Sequence, residues 1–242
     1  MNTLLFISIV LVSGFSAGMI HGLVNLVVVE PFLDKAIRIE NQNLLASGKA
    51  QDTPQFWKEF DQYRTWQKQG EVIAAGVLGL SIGALFGLVF AYSRDVLPGK
   101  NHVKKALVLA GIMWLTLFFI PFLKYPANPP TVGEPSTILI RSSLYVGFVA
   151  LSGFGALGFS RIYKKLHNEQ RLIIPFGYAA YILVIFVIMP SNPDEIVAPQ
   201  DLLNGFRTAS VSTVTMFWII DAVILGFLWQ KFQSRLEPHH ER

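Results

Sequence analysis

Six apolar stretches, each close to the length of a bilayer crossing, constrain this chain more than any motif in it. A spanning helix needs about 20 mainly apolar residues, because backbone polar groups in hydrocarbon must be satisfied within the segment. Residues 3–29, 72–92, 106–123, 143–160, 172–189 and 209–229 meet that demand or come close. Composition agrees, with 52% apolar and 15% charged residues against roughly 25% charged in ordinary soluble domains. A soluble globule of 242 residues would need far more charge to cover itself. The expected fold class is all-α, a polytopic membrane bundle of six transmembrane helices, with residues 1–242 as a single integral membrane domain.

The first stretch lacks a basic leading region and a clean small-x-small cleavage site, so it is expected to stay as a helix rather than leave as a signal peptide. Orientation follows from Lys and Arg in the short loops. Loop 93–105 carries Arg94, Lys100, Lys104 and Lys105, and loop 161–171 carries Arg161, Lys164, Lys165 and Arg171. Loop 124–142 has only Lys124 and Arg141, and loop 190–208 only Arg207. The basic loops alternate, which predicts both termini on the cytoplasmic side of the plasma membrane. The net charge of +4 is then a matter of cytoplasmic loops and not of a nucleic-acid surface.

Loop 30–71 falls outside on this reading and predicts an extra helix near 54–70, opened by Thr53 and Pro54. Phe56, Phe60, Tyr63 and Trp66 or Gln67 share its face, an aromatic stripe suited to the membrane surface or to capping the bundle. Two glycine stripes, Gly14-x-x-x-Gly18-x-x-x-Gly22 and Gly79-x-x-x-Gly83-x-x-x-Gly87, predict close packing of the first two spans. The second half repeats itself. Pro126-Ala-Asn128-Pro129 precedes Arg141, and Pro190-Ser-Asn192-Pro193 precedes Arg207. Spans 3–4 and 5–6 are thus expected to form a parallel hairpin repeat.

Ionisable residues inside spans each cost about 2.5–3.5 kcal/mol at the centre on insertion scales, so they mark function first. His21 and Asn25 lie four apart on the glycine face of the first span, offering nitrogen and oxygen to a divalent metal. The plainer reading is an interhelical hydrogen bond. Asp221 sits near the middle of the last span below Arg207, Ser210 and Thr213, where it would bind a cation, relay a proton or simply be satisfied by neighbouring hydroxyls. Glu30 and Glu71 read as boundary charges. Arg141 and Arg207 sit at helix starts, where the dipole disfavours cations, so a compensating carboxylate is expected: Glu134, Asp201 or a partner's. His239 and His240 suggest a solvated tail more than a metal site.

With no cysteine, thiolate sites and disulfides are excluded. No phosphate-binding loop, zinc-protease motif or nucleophile elbow is present, and no nucleophile–base pair is recognisable, so the chain is not read as an enzyme and no catalytic residue or bound cofactor is implied.

The string Phe122-Leu-Lys124-Tyr125-Pro126-Ala-Asn128-Pro129-Pro130-Thr-Val-Gly133-Glu134-Pro135-x-Thr137, followed by Arg141, resembles the hallmark of the CbtA family of predicted cobalt transporter subunits. Asp201-Leu-Leu-x-x-Phe206-Arg207-x-Ala209-Ser210 and the glycine-spaced first helix ending in Glu30-Pro31 are similar too. The resemblance implies cobalt(II) uptake linked to cobalamin synthesis, beside a small single-span CbtB-like subunit. On this reading His21, Asn25, Asp221 and Glu30 hold the metal, while Asn128, Glu134, Asn192, Arg141 and Arg207 line an outer vestibule. Membrane lipids surround the bundle, and further membrane subunits can join it. The rival is an accessory subunit that packs against other membrane proteins and moves nothing.

Overall fold

The computed structural model describes residues 2–130, 132–194, 196 and 198–236, and the sequence-predicted His239 and His240 lie outside them. Among the described residues 84% are helical and none forms a strand. Six helices among the described residues are long and apolar enough to cross a membrane: α1 (Thr3–Val28), α3 (Pro54–Ser93), α4 (His102–Lys124), α5 (Pro135–Lys165), α6 (Glu169–Ile188) and α7 (Gln200–Leu236). A seventh, α2 (Glu30–Ala46), follows α1 directly. The chain divides into two compact units. The first holds α1, α2, α3, the start of α4 and α7 from Asn204 onward; the second holds the rest of α4, α5, α6 and their loops.

In the first unit α1 and α3 pack glycine to glycine, as the two stripes predict. A Cβ built on Gly14 would collide with the Gly79 carbonyl oxygen, one on Gly18 with the Ala75 carbonyl, and one on Gly83 would lie 2.5 Å from the Gly14 Cα. Backbones this close gain dispersion along their whole contact, which is how helices associate where water gives no drive. α7 runs antiparallel to α1: the Asn2 amide donates to the Leu236 carbonyl at 2.9 Å, and His21 meets the Thr213 carbonyl at the other end.

The helix expected near 54–70 does begin at Pro54, with the Thr53 hydroxyl accepting from the Phe56 amide at 3.2 Å. It does not stop before the second span, however. α3 runs unbroken for 40 residues. Gly70 costs about 1 kcal/mol in a helix interior, but nothing there supplies a cap or a proline to end the backbone ladder. The aromatic stripe also shares its face unevenly. Tyr63 and Trp66 stack on each other in the open at 5.9 Å, while Arg64 turns inward and is buried. α2 was not foreseen at all.

In the second unit α4 carries a π-turn at Leu115–Phe119, where the Ile120 amide reaches back to the Leu115 carbonyl. In that wider register the Thr116 carbonyl would be served by residue 121, and Pro121 has no N–H. Ser152 of α5 fills the place, its hydroxyl donating to the Thr116 carbonyl at 2.5 Å. The Tyr178 hydroxyl of α6 lies 2.8 Å from the same Ser152 oxygen. The proline is thus compensated from a neighbouring helix, as polar side chains in membranes commonly do.

Candidate functional site

Polar side chains converge in the first unit where α1 ends and α2 begins. Glu30 opens α2 and is buried. Arg64 reaches it from α3, with Nη2 at 2.5 Å from Glu30 Oε2 and 2.9 Å from Asp34 Oδ1. One turn on, Lys68 Nζ lies 2.8 Å from Asp34 Oδ2 and 3.9 Å from Glu30 Oε2. Arg64 Nη1 donates to Gln67 at 2.6 Å, which fixes the guanidinium plane. Partial burial pushes the Asp34 carboxyl upward, but hydrogen bonds and charge from Lys68 and Arg64 outweigh it and hold the group below its ordinary value.

Glu71 follows Lys68 on the same helix and lies against Glu30 and Asn25. Its Oε2 is buried without a hydrogen-bond partner, and so is Asn25 Oδ1. Three carboxylates here, Glu30, Asp34 and Glu71, face two cations, Arg64 and Lys68. Two acceptor oxygens of the cluster, Glu71 Oε2 and Asn25 Oδ1, thus lie buried with nothing to accept.

His21 borders this cluster. Its Nδ1 lies 3.1 Å from the Thr213 carbonyl, which can only accept, so Nδ1 carries the proton and donates. Nε2 is then the lone-pair nitrogen, and the Asn25 amide donates to it at 3.3 Å. The interhelical hydrogen bond weighed from the sequence is present, and the nitrogen that would hold a metal is occupied by Asn25. The His21 ring also packs edge-on to Phe217, with centroids 5.9 Å apart.

Asp221 lies elsewhere. The His21–Thr213 contact and the facing of Ser13 toward Asp221 keep one antiparallel register, eight residues further along both helices. At 1.5 Å per residue that places Asp221 about 12 Å from the His21 level. The structure therefore brings His21, Asn25 and Glu30 to one end of the unit, adds Glu71, and leaves Asp221 out of reach of a shared ion. Asp221 is wholly buried, and neither carboxyl oxygen has a hydrogen-bond partner. The Ser13 hydroxyl facing it donates instead to the Val10 carbonyl at 3.0 Å. Among the described residues no three His, Asp or Glu side chains are arranged as a ready-made metal site.

The loop residues in the second unit form a clamp. Arg141 Nε lies 3.0 Å from Asp194 Oδ2, and Nη2 donates to the Glu134 carbonyl at 3.1 Å. Asp194 Oδ2 also accepts from the Glu134 amide at 3.0 Å and the Thr137 hydroxyl at 2.8 Å. The Asp194 amide in turn donates to the Asn192 side chain at 3.1 Å. Tyr125 adds a bond to the Pro190 carbonyl at 2.6 Å. Glu134, Arg141 and Asn192 thus meet, while Arg207 belongs to the first unit. The carboxylate that compensates Arg141 is Asp194, which the sequence reading missed; an Asp two residues after Asn192 in the second Pro–Asn–Pro copy was the available signal. Asp194→Ala should lower the stability of the purified protein by about 2 kcal/mol, since it takes the carboxylate from a half-buried guanidinium and the acceptor from the Glu134 amide. A thermal melt in detergent checks this.

A family model described as "Probable cobalt transporter subunit (CbtA)" matches residues 3–230 of the chain. No curated protein and no solved structure matches it.

Proposed function

The chain belongs to the CbtA family of probable cobalt transporter subunits, and on that premise we propose that it imports cobalt(II) across the plasma membrane, with both termini cytoplasmic. Membership in a transporter-subunit family and a helical membrane fold point away from an enzyme. The observation that supports a role in moving a cation is the gathering of Glu30, Asp34 and Glu71 at the α1–α2–α3 junction, where Glu71 Oε2 and Asn25 Oδ1 are buried without a hydrogen-bond partner. Glu71, Glu30 and Asn25 offer hard oxygen donors, and His21 adds a nitrogen once Asn25 turns away from it. In this reading Glu71 and Glu30 attract the hydrated ion at the outer end, and Arg64 and Lys68 yield part of their hold on Glu30 as it arrives. Asp221 receives the ion deeper in the membrane. The Asn128, Glu134 and Asn192 loops, clamped by Arg141, form the outer vestibule. A small single-span CbtB-like partner completes the transporter.

The rival, an accessory subunit that moves nothing, draws on the α1–α3 seam, whose touching backbones leave no passage between those two helices. Cobalt content separates the two. Cells stripped of their own importers are expected to accumulate cobalt when they express the chain with its single-span partner, as read by mass spectrometry. Glu71→Gln should raise the external cobalt needed for half-maximal accumulation about tenfold, the cost of about 1.4 kcal/mol for one lost charged contact. No accumulation by folded, membrane-resident protein with the partner present would favour the accessory subunit.

A further inference from the structure

Between the two polar levels of the first unit lies an aromatic layer that neither level uses. Thr213, Phe217 and Asp221 follow at four-residue steps on α7, so Phe217 stands one turn from each. The same register along α1 runs from His21 through Ala17 to Ser13, and Ala17 is fully buried. Phe217 packs edge-on against His21 at 5.9 Å and against Trp218 at 6.0 Å. Trp218 packs edge-on against Phe86 of α3, also at 6.0 Å. Phe217, Trp218 and Phe86 are 4%, 5% and 0% exposed. The three rings link α7 to α3, with the glycine-packed α1 beside them.

We infer that this Phe217–Trp218–Phe86 layer is the permeability barrier of the chain, dividing the metal path into an outer site at Glu71, Asn25 and His21 and an inner site at Asp221; the inference rests on the transport reading above. An apolar constriction excludes water and with it a hydrated ion, for which the layer offers no replacement ligand. The outer polar cluster ends at His21, whose ring lies directly on Phe217. Beyond the layer Asp221 has two buried oxygens and no donor, so the next group able to receive a cation is one step past the rings. Phe217 is the residue shared by both levels, and its movement decides passage.

The absence of native cysteine makes the layer directly testable, because Ser13→Cys places a single thiol opposite Asp221. Intact cells carrying S13C are treated from outside with a membrane-impermeant methanethiosulfonate, with Tyr63→Cys, an exposed site, as the fast reference. S13C is expected to stay protected. Adding Phe217→Ala should speed its labelling about tenfold, as opening an apolar constriction admits water, while Phe217→Leu should preserve protection. Equal labelling of S13C with and without Phe217→Ala would overturn the barrier. If Phe217→Ala fails to reach the membrane, S13C alone decides: labelling as fast as Y63C overturns the proposal, and protection supports it. Unchanged labelling in a chain that imports cobalt would sink the barrier alone. A labelling difference in a chain that imports nothing would sink the transport reading and leave the barrier standing.

Discussion

Cells carrying Asp221→Asn are expected to accumulate no more cobalt than cells lacking the chain, although the protein remains folded in the membrane at its normal level. The two halves of that result have separate causes. Asparagine has the size and shape of aspartate, and neither Asp221 oxygen has a hydrogen-bond partner to lose. Folding therefore forfeits no contact, and removing an ionisable group from a buried site relieves a cost of a few kcal/mol. Stability should be unchanged or higher. Transport, in the proposed mechanism, loses the carboxylate that lies opposite Ser13, on the far side of the aromatic rings from the Glu71 cluster. A neutral amide cannot repay a divalent ion for leaving water. The decisive comparison is cobalt content, normalised to membrane-resident protein, beside a thermal melt of the same variant. Full accumulation with unchanged stability would show that Asp221 takes no part in moving the ion.

That separation was partly legible in the sequence. An aspartate in an apolar span announces itself by its cost, and the glycine stripes named their own partner helices because small residues at four-residue spacing describe one face. What could not be read was the distance between His21 and Asp221. Each lies on a polar track of its own helix, but only the antiparallel register of α1 and α7 decides whether the tracks meet, and register is a tertiary fact. Glu71 was undervalued for a related reason. With a span expected to start at residue 72, it looked like a boundary charge; in the continuous α3 it faces Glu30 and Asn25 inside the protein. α2 was hidden because Glu30-Pro31 marks the end of an apolar run as readily as the first turn of a new helix. Arg141 and Asp194 meet across two loops, and no local spacing encodes such a pair.

Gly79→Val is expected to cost the protein a large share of its stability. Even a Cβ at Gly79 would overlap the Gly14 carbonyl oxygen and lie 2.8 Å from the Gly18 Cα, both of them backbone atoms that cannot rotate aside. The whole α1–α3 seam would have to separate, and overpacking of this kind costs about 3 kcal/mol where relaxation is blocked. A chain of ordinary marginal stability then gives little monodisperse protein after extraction and a sharply lower melting temperature. Gly70→Ala is the control on the same helix. A Cβ there meets nothing within 4 Å, so the substitution should stabilise α3 by about 0.5–1 kcal/mol through helix propensity alone. The opposed signs distinguish close backbone approach from a general intolerance of bulk in α3. A Gly79→Val protein that melts like the parent would mean that α1 and α3 do not touch through their glycines. The register that sets Ser13 against Asp221 depends on how α1 is held, so the same measurement tests the support of both polar sites.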